Sequence, residues 1–349
     1  MRIAQIAPLT ESVPPKLYGG TERVVAYLTD ELVAMGHDVT LFASGDSITT
    51  ARLEAIWPEA LRLDPTIRDW LAPHMLLMER VRQLSPDFDV LHFHTDYWPA
   101  SLFARQAVPF VTTLHGRLDL AELGPVYSGL PRMNLVSISD AQREPLPVVD
   151  FVATIQHGLP PTLLTPQPVE PSYLAFLGRI CPEKRPDRAI RIARAAGVPL
   201  RIAAKVDRVD EEYFAREIRS MLGPDADYIG EIDDRAKPSF LSGARALLMP
   251  IDWPEPFGLV MIEAMACGTP VIAYDHGSVP EIIEDGVTGF VVRDEAAAAA
   301  AVRRIGRLSR VKIRAEFERR FTARRMAEDY LSVYESLAVP RVERLKLVG

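Results

Sequence analysis

The sequence predicts an α/β protein of two doubly wound domains, each with a parallel sheet between layers of helices. Three observations indicate this fold class. Short β-branched runs alternate with longer helical patterns, a proline-rich segment interrupts the alternation, and the alternation then resumes. The 349 residues, of which 48% are hydrophobic and 25% charged, suit two soluble globular domains of ordinary size.

The first half of the chain begins with a predicted strand and a predicted helix. The strand is RIAQIAP, and the helical pattern is TERVVAYLTDELVAMG, which stops at Gly36. The further predicted strands of this half are HDVTLFAS, DVLHFH, FVTTLH, NLVSIS and FVATIQ. Strands and helices in alternation indicate a parallel sheet that is covered on both faces.

A linker and a second series of elements follow. The segment GLPPTLLTPQPVEPS, residues 158–172, contains five prolines and predicts the linker. After it come the strand YLAFLGR, the helix RPDRAIRIARAAG and the strands VPLRIAAK, DYIG, RALLMP and TPVIAY. We expect an N-terminal domain over residues 1–165 and a C-terminal domain over residues 166–324, with a last helix at about 325–337 that packs back on the first domain. Because such sheets bind ligands at the carboxyl ends of their strands, the expected site is the cleft between the domains.

Composition and charge exclude several function classes. The net charge of −7 argues against a general nucleic-acid binder. Cys181 and Cys267 are too few for a disulfide framework or a thiolate zinc site, which favours reduced thiols and a cytoplasmic location. No apolar run approaches the length of a membrane span, and MRIAQIAPL indicates a first strand rather than a signal peptide. The basic run at residues 303–321 indicates a solvated helical face rather than a membrane contact.

Two familiar nucleotide-binding motifs are absent from the sequence. No glycine is followed two residues later by another, so the dinucleotide motif G-x-G-x-x-G is missing. No glycine precedes a lysine, so the phosphate-binding loop of nucleotide hydrolases is missing as well. These absences disfavour a redox enzyme that uses a dinucleotide and a nucleotide hydrolase of the P-loop type.

The stretch EPFGLVMIEAMACGTPV places one carboxylate in an apolar helix. From Leu259 to Ala266 every side chain is apolar except that of Glu263. A buried carboxylate without a partner is costly, so Glu263 should bind something. A carboxylate that accepts two hydroxyl hydrogen bonds suits a ribose diol, which makes Glu263 a candidate nucleotide ligand. The alternative is a structural role, in which Glu263 pairs with a buried arginine or caps a neighbouring helix.

The residues before this helix form a candidate phosphate and sugar site. The loop from Glu255 to Gly258, which includes Phe257, lets the backbone approach a ligand closely. The amides of Leu259 and Val260 lie at a helix N-terminus, where phosphate oxygens bind. Glu255 is a candidate for holding sugar hydroxyls.

The sequence GRICPEK supplies two cations directly after a predicted strand. Arg179 offers a flat fork of donors and Lys184 a point charge, which are the two usual ways of binding a diphosphate. Together they can neutralise the charge that develops on a departing nucleotide diphosphate. The alternative is that both are ordinary surface cations.

Glu255 and Glu263, with seven residues between them, reproduce the E-x7-E motif of retaining glycosyltransferases. The sequences GRICPEK, YGGTE, TLHG and PEPFGLVMIEAMACGTPVIA are similar to glycosyltransferase family 4, which has the GT-B fold. The resemblance spans the chain and is most specific in the second domain. The opening ESVPPKLYGGTERVV resembles bacterial sequences often labelled UDP-glucose:tetrahydrobiopterin glucosyltransferases.

The resemblance implies roles for the residues that match the family's motifs. Arg179 and Lys184 match the basic pair on the donor diphosphate, and Glu263 matches the ribose ligand. Glu255 matches the residue on the donor sugar, helped by the amides from Phe257 to Leu259. The residues implied near the base are Ile232, Asp234 and Lys237. The glycines implied to face the diphosphate from the first domain are Gly19 and Gly20.

The resemblance also implies the course of the reaction. His115 matches the histidine that contacts and orients the reacting sugar. The acceptor is expected to attack from the side of the leaving group, with the β-phosphate as base, so no side-chain nucleophile and no metal is required. The chain departs from the common pattern at KRP after Lys184, where many relatives have glycine, and at QHG, residues 156–158, where asparagine-glycine is usual.

Some of these residues are also compatible with other functions. His92 and His94, with Asp96 and His115 nearby, suggest a metal hydrolase, but we favour polar residues that line the cleft or contact the acceptor. The alternatives on the same fold are a sugar-nucleotide 2-epimerase and a binding protein without turnover. The expected function is transfer of a hexose from a nucleotide diphosphate sugar, with UDP-glucose as the best choice, to a small-molecule, saccharide or lipid acceptor. No cofactor and no nucleic-acid partner is expected.

Overall fold

A computed structural model describes residues 1–16 and 19–338. The chain divides into two compact units. Unit 1 comprises Met1–Gly158 together with the segment that begins at Ala323, and unit 2 comprises Leu159–Thr322. The chain therefore enters unit 2 at the start of the proline-rich segment and returns to unit 1 for its last described helix.

Unit 1 contains a seven-stranded parallel sheet. Its strands are β1 Arg2–Ile6, β2 Asp38–Ser44, β3 Arg52–Trp57, β4 Val90–Phe93, β5 Phe110–Thr113, β6 Leu135–Ser137 and β7 Phe151–Thr154. The order is β3-β2-β1-β4-β5-β6-β7, so the winding direction reverses between β1 and β4. The sequence patterns predicted every one of these strands except β3, which lies at the edge of the sheet and has no fully buried residue. Ligands bind at the carboxyl side of such a reversal.

Unit 2 contains a six-stranded parallel sheet of the same kind. Its strands are β8 Tyr173–Arg179, β9 Leu200–Lys205, β10 Ala226–Gly230, β11 Ala244–Met249, β12 Val271–Tyr274 and β13 Gly289–Val292. The order is β10-β9-β8-β11-β12-β13, with the reversal between β8 and β11. The prediction of two doubly wound α/β domains is confirmed, and the strand that the sequence analysis missed here is again at an edge.

The helices lie between these strands along the chain. In chain order they are α1 Gly20–Ala34, α2 Leu71–Leu84, α3 Ala100–Phe103, α4 Leu123–Gly129, α5 Asp140–Arg143, α6 Pro186–Ala196, α7 Glu211–Tyr213, α8 Lys237–Ser242, α9 Leu259–Ala266, α10 Val279–Ile282, α11 Glu295–Arg304, α12 Arg310–Arg320 and α13 Ala323–Ala338. Among the described residues, no helix combines the length and the apolar character that crossing a membrane requires.

The core of unit 1 is built from the apolar faces of its central strands. Phe42 on β2 and Phe93 on β4 are fully buried, and the Phe93 ring lies 4.7 Å from that of Phe103. The helix α13 adds two buried tyrosines, Tyr330 and Tyr334, which contact polar side chains of β1, β4 and β5. The last described helix is thus part of the interior of unit 1.

The basic run at residues 303–321 is more than the solvated face that the sequence predicted. In α12, Ile313 and Phe317 are fully buried. Arg314 donates from Nη1 and Nη2 to backbone carbonyls that lie outside its own helix, those of Pro161, Leu164 and Ala266, at 2.6 to 2.7 Å. Arg310 similarly donates to the carbonyl of Ser242 at 3.1 Å. These two arginines join α12 to other segments of unit 2. Their charge alone does not predict this role.

Candidate functional site

The turn before α9 requires a glycine. Gly258 has φ 78°, in the left-handed region, and a Cβ there would lie 2.9 Å from the methyl carbons of Met249 and Met261. The amide of Met261 donates to the carbonyl of Gly258 at 3.0 Å and closes the first turn. The amides of Leu259 and Val260 precede that bond, where a helix leaves N–H groups without intrahelical acceptors. An anion can bind at these amides.

A segment that the sequence analysis did not single out holds this loop in place. Ser278 donates from its hydroxyl to the carbonyl of Phe257 at 2.8 Å and from its amide to the carbonyl of Glu255 at 3.0 Å. Gly277 has φ 57°, and a Cβ there would lie 2.4 Å from the backbone of Glu255. The sequence signal is a glycine and a serine in HGS, residues 276–278, which lie shortly after β12. The loop is therefore preformed.

Glu255 is held by two side chains near the carboxyl ends of β8 and β11. Its Oε2 atom accepts a hydrogen bond from Lys184 Nζ, with which it forms an ion pair, and another from Trp253 Nε1 at 3.0 Å. The Lys184 ammonium also lies 5.0 Å from the centre of the Trp253 ring. Glu255 is buried, so the pair compensates its charge. Two residues that the sequence analysis chose from separate motifs are in contact.

Glu263 is buried in α9, and its partner is a lysine. Lys237 Nζ lies 2.6 Å from Glu263 Oε1 and 3.0 Å from Asp234 Oδ1. The structure thus contains a buried ion pair, as in the structural alternative, although the cation is a lysine rather than an arginine. Glu263 Oε2 makes no hydrogen bond within the described residues. One carboxylate oxygen is engaged and the other can accept from a ligand.

Arg179 lies at the end of β8 against two aspartates. Its guanidinium is 3.5 Å from Asp207 Oδ2 and 3.7 Å from Asp210 Oδ2, both longer than a good charged hydrogen bond. Asp207 is also bound by Lys205 at 2.8 Å. Burial raises the pKa of the Asp210 carboxyl. The aspartates follow β9 in KVDRVD, and the sequence analysis missed them.

Arg185 explains one departure from the family pattern. It has φ 51°, in the left-handed region where glycine is usual, immediately before α6. Its guanidinium pairs with Asp187 at 2.8 Å and with Asp252 at 2.9 Å. These contacts offset the backbone strain that glycine avoids.

The loop after β10 contributes the remaining residues that were predicted near the base. Ile232 and Asp234 are half-buried, and only Asp234 takes part in the Lys237 cluster. The structure therefore brings together Lys184 with Glu255, and Asp234 and Lys237 with Glu263. Among the described residues, no three histidine, cysteine, aspartate or glutamate side chains are grouped so that they could hold a metal ion.

The glycines predicted to face the diphosphate lie at the start of α1 in unit 1. A Cβ on Gly19 would lie 2.8 Å from the Cβ atom of Pro15, so local packing also requires this glycine. Gly20 is exposed. One turn on, Glu22 is buried, and burial raises the pKa of its carboxyl to about 7. Tyr18, which belongs to the YGGTE motif, lies outside the described residues.

His115 follows β5 in unit 1 and is half-buried. Its Nε2 atom is 2.8 Å from His94 Nδ1, and its ring stacks on that of His157 with the ring centres 5.3 Å apart. Burial lowers the pKa of His115 to about 3, so the imidazole is neutral at physiological pH. His92 is fully buried between Tyr334 and Thr113, which corrects its interpretation as a residue that lines the cleft or contacts the acceptor.

Two family models match the chain. The model described as "Glycosyltransferase Family 4" matches residues 18–143, and the model described as "Glycosyl transferases group 1" matches residues 165–324. A phosphatidyl-myo-inositol mannosyltransferase of Mycolicibacterium smegmatis is 26% identical, over 97% of this chain and 94% of the relative.

Solved structures agree with this assignment. The glycosyltransferase AviGT4, involved in avilamycin A biosynthesis, has a TM-score of 0.74 and 25% identity, over 97% of this chain and 98% of its own. Anabaena HepE, solved in complex with UDP-glucose, has a TM-score of 0.74 and 17% identity, over 97% of this chain and all (100%) of its own. The fold and the matches along both halves show that this chain is a glycosyltransferase of family 4, with the two Rossmann-like domains of the GT-B fold.

Proposed function

We propose that the chain is a retaining, metal-independent hexosyltransferase whose donor is a nucleotide diphosphate sugar, with UDP-glucose as the specific donor. The observation that carries the proposal is the pair of lysine–glutamate contacts around α9. Lys184 binds Glu255 before the helix, and Lys237 binds Glu263 on its second turn. Cations, carboxylates and free helix amides thus surround one helix N-terminus, which is the chemistry that a nucleotide sugar needs.

Each part of the donor has a proposed partner in unit 2. The amides of Leu259 and Val260 bind phosphate oxygens, and Lys184 and Arg179 neutralise the diphosphate as it leaves. Arg179 is suited to this task because it lies at the end of β8 and its guanidinium is a planar fork of donors, which matches phosphate oxygens.

The nucleoside and the sugar are bound by the two glutamates. Glu263 accepts from the ribose hydroxyls through Oε2, while Oε1 stays on Lys237. Ile232 and Asp234 lie on the loop proposed to contact the base. Glu255 accepts from the hydroxyls of the transferred sugar.

The state of Glu255 supports a reaction without a side-chain nucleophile. Its Oε2 atom already accepts from Lys184 and Trp253, which lowers the electron density available for attack on an anomeric carbon. We propose that the acceptor hydroxyl attacks on the side of the departing diphosphate and gives its proton to that group. His115 contacts the transferred sugar as a neutral imidazole, and Gly19 and Gly20 approach the phosphates.

The choice of UDP-glucose is supported by the Anabaena relative, which was solved with that donor. The mycobacterial relative is a mannosyltransferase, so a mannose donor is the competing choice. Tyr97 and Trp98 follow β4 and are both 37% exposed, beside Asp96 with φ 51°. Exposed aromatic rings beside a carboxylate suit a flat heterocyclic acceptor with N–H donors, and we propose tetrahydrobiopterin as that acceptor. The buried free thiols of Cys181 and Cys267 support a cytoplasmic, reducing setting.

Thermal unfolding in a panel of nucleotide sugars tests the donor. At a hundred times its dissociation constant, a donor should stabilise the chain by about 2.7 kcal/mol. UDP-glucose should raise the unfolding temperature of the wild type and of the matched surface variant Arg324→Gln equally, and that of Glu263→Gln by clearly less. Stabilisation by no member of the panel would overturn the proposal.

Mass spectrometry and NMR of the products then test the reaction. Incubation with UDP-glucose and tetrahydrobiopterin should give an adduct one hexose heavier, with an α linkage, and EDTA should leave the rate unchanged. An isomerised sugar formed without acceptor would show a 2-epimerase instead. A β linkage would overturn retention, and inactivation by EDTA would overturn metal independence.

A further inference from the structure

A continuous line of hydrogen bonds runs through the interior of unit 1 and ends at His115. Its members lie on β1, β4, β5 and α13 or shortly after β4 and β5, and all except His115 are buried. In order they are Tyr330, Thr113, His92, Tyr334, Gln5, His94 and His115. Six contacts of 2.7 to 3.0 Å join them.

The amide of Gln5 determines the direction of the bonds on its His115 side. Gln5 Nε2 donates to Tyr334 Oη at 3.0 Å, so Gln5 Oε1 faces His94 Nε2 at 2.9 Å. An amide oxygen only accepts, so the proton between them belongs to His94 Nε2. A neutral imidazole carries one N–H, so His94 Nδ1 is an acceptor. It therefore accepts from His115 Nε2, which lies 2.8 Å away.

The other side of the line has the same polarity. Tyr334 accepts from Gln5 and donates to His92 Nδ1 at 2.7 Å, which leaves the ring proton of His92 on Nε2. His92 Nε2 donates to Thr113 Oγ1 at 2.8 Å, and Thr113 donates to Tyr330 at 2.8 Å. The other six members all donate in the direction of Tyr330, and each of them has the proton that this arrangement needs. Burial lowers the pKa of His92 and of His94, in agreement with two neutral rings.

At the other end of the line, one ring nitrogen of His115 takes no part in these hydrogen bonds. His115 Nε2 donates to His94, so Nδ1 carries a lone pair. Nδ1 is buried and has no hydrogen-bond partner within the described residues. Buried acceptors are normally paired, so the donor for this nitrogen comes from outside the described part of the chain.

We propose that Gln5, His94 and Tyr334 are positioning residues that fix His115 as the Nε2–H tautomer, so that it offers only an acceptor, Nδ1, to a hydroxyl of the transferred sugar. This proposal rests on the proposed function for the identity of the ligand, but the tautomer itself does not. It implies a preference for donors whose sugar has a hydroxyl at the contacted position. A carboxylate or a deoxy carbon there has no proton to donate.

The tautomer is measured directly by NMR on the full-length chain with ¹⁵N-labelled histidine. Long-range proton–nitrogen spectra distinguish protonated from unprotonated ring nitrogens, and His115→Gln identifies the signals of His115. We expect a proton on Nε2 and none on Nδ1. A proton on Nδ1 in the wild type would overturn the proposal, whether or not the chain has any activity.

Two buried tyrosines on the same helix provide a matched pair of variants. Tyr334→Phe removes the group that orients the Gln5 amide, so His115 should become a mixture of tautomers. Tyr330→Phe makes the same change one turn earlier, at the far end of the line, and should leave the tautomer of His115 as it is. Equal effects of the two variants would show only a packing role and overturn the assignment.

Addition of UDP-glucose tests whether the sugar is the hydrogen-bond partner of His115 Nδ1, separately from which ring nitrogen carries the proton. Saturating donor should move the Nδ1 signal of His115 toward that of a hydrogen-bonded acceptor, and Tyr334→Phe should lower kcat/KM by roughly tenfold. Donors lacking one hydroxyl at a time should show one position at which the wild type and Tyr334→Phe no longer differ. If the donor binds and the signal stays in place, the sugar contact is wrong. If no donor binds at all, the proposed function fails while the tautomer result stands.

Discussion

Lys237 Nζ lies 2.6 Å from Glu263 Oε1, and this contact joins the first turn of α8 to the middle of α9. Both side chains are buried, at 8% and 4% exposure, so neither charge is hydrated well by water. Breaking such a pair leaves one charge without compensation, whereas replacing both partners removes the problem. That difference separates the structural role of Glu263 from its proposed role in binding ribose.

Glu263→Gln should destabilise the chain by about 3 kcal/mol, because Lys237 keeps only Asp234 as a partner. The double variant Lys237→Met with Glu263→Leu should regain most of that free energy of unfolding. Both variants should bind UDP at least about tenfold more weakly than the wild type, since each lacks the carboxylate proposed to accept from the ribose hydroxyls. Urea denaturation and titration calorimetry measure the two quantities. Wild-type affinity in the stable double variant would remove Glu263 from the ribose site.

Arg179→Ala should lower turnover more than donor affinity. Charge grows on the diphosphate as the glycosidic bond breaks, so a cation that turns toward it acts mainly in the transition state. We expect a loss in kcat of about a hundredfold, with a change in the dissociation constant of UDP-glucose below about fivefold. Arg201→Ala, at a surface pair with Asp227, is the matched control and should alter neither quantity. Equal losses in affinity and in rate would assign Arg179 to uniform binding instead.

Arg185 tests the cost of a left-handed backbone at this loop. Arg185→Gly and Arg185→Ala both lose the ion pairs with Asp187 and Asp252, so their difference reports the backbone alone. At φ 51° the glycine variant should be more stable than the alanine variant by about 1 kcal/mol. Urea denaturation of the two proteins side by side measures it. An alanine variant at least as stable as the glycine variant would show that the loop relaxes.

The buried histidines make unit 1 sensitive to acid. Burial lowers the pKa of His92, His94, His115 and His157, that of His115 to about 3, whereas the unfolded side chains titrate near 6.5. The unfolded state therefore binds more protons below pH 6.5, and stability should fall as the pH drops from there toward 3. Each such histidine adds about 1.4 kcal/mol per pH unit to the slope. His115→Gln should reduce the slope of the free energy of unfolding between pH 6 and pH 5.

Glu22 contributes with the opposite sign and is the control for this experiment. Its pKa is raised from 4.5 to about 7, so the folded state holds its proton longer and stability falls as the pH rises through that window. The measurement is therefore made in a Glu22→Gln background as well. A flat profile in that background would mean that the four imidazoles are not buried as neutral groups in solution.

Local sequence patterns predicted the fold better than they predicted which side chains pair with the charged residues. Central strands such as β4 and β11 are almost entirely buried and show as mainly apolar runs, whereas the edge strand β3 carries Arg52 and Glu54 and gives no such signal. The loop from Glu255 to Gly258 was predicted because a strand, a proline and a glycine stand together. The clamp by Ser278 was not, since it depends on the packing of a neighbouring strand.

The partners of buried polar groups come from distant parts of the chain. Glu263 and Lys237 are far apart in sequence, and a lone acid in an apolar helix indicates that a partner exists without naming it. The pairing of His92 with Tyr334 needs α13 to lie against β4, and no local periodicity encodes that contact. The left-handed backbone of Arg185 had no local signal beyond the departure of KRP from the family pattern.

The insertion of α13 into the interior of unit 1 has a consequence for biosynthesis. Unit 2 is one continuous stretch, Leu159–Thr322, and can fold as soon as it has left the ribosome. The sheet of unit 1 is translated earlier, yet the hydroxyls of Tyr330 and Tyr334 that satisfy its buried polar side chains are translated only after unit 2. Unit 1, whose sheet is synthesised before unit 2, is therefore completed only after unit 2, and a nascent chain halted before Ala323 leaves its buried polar side chains without these hydroxyls.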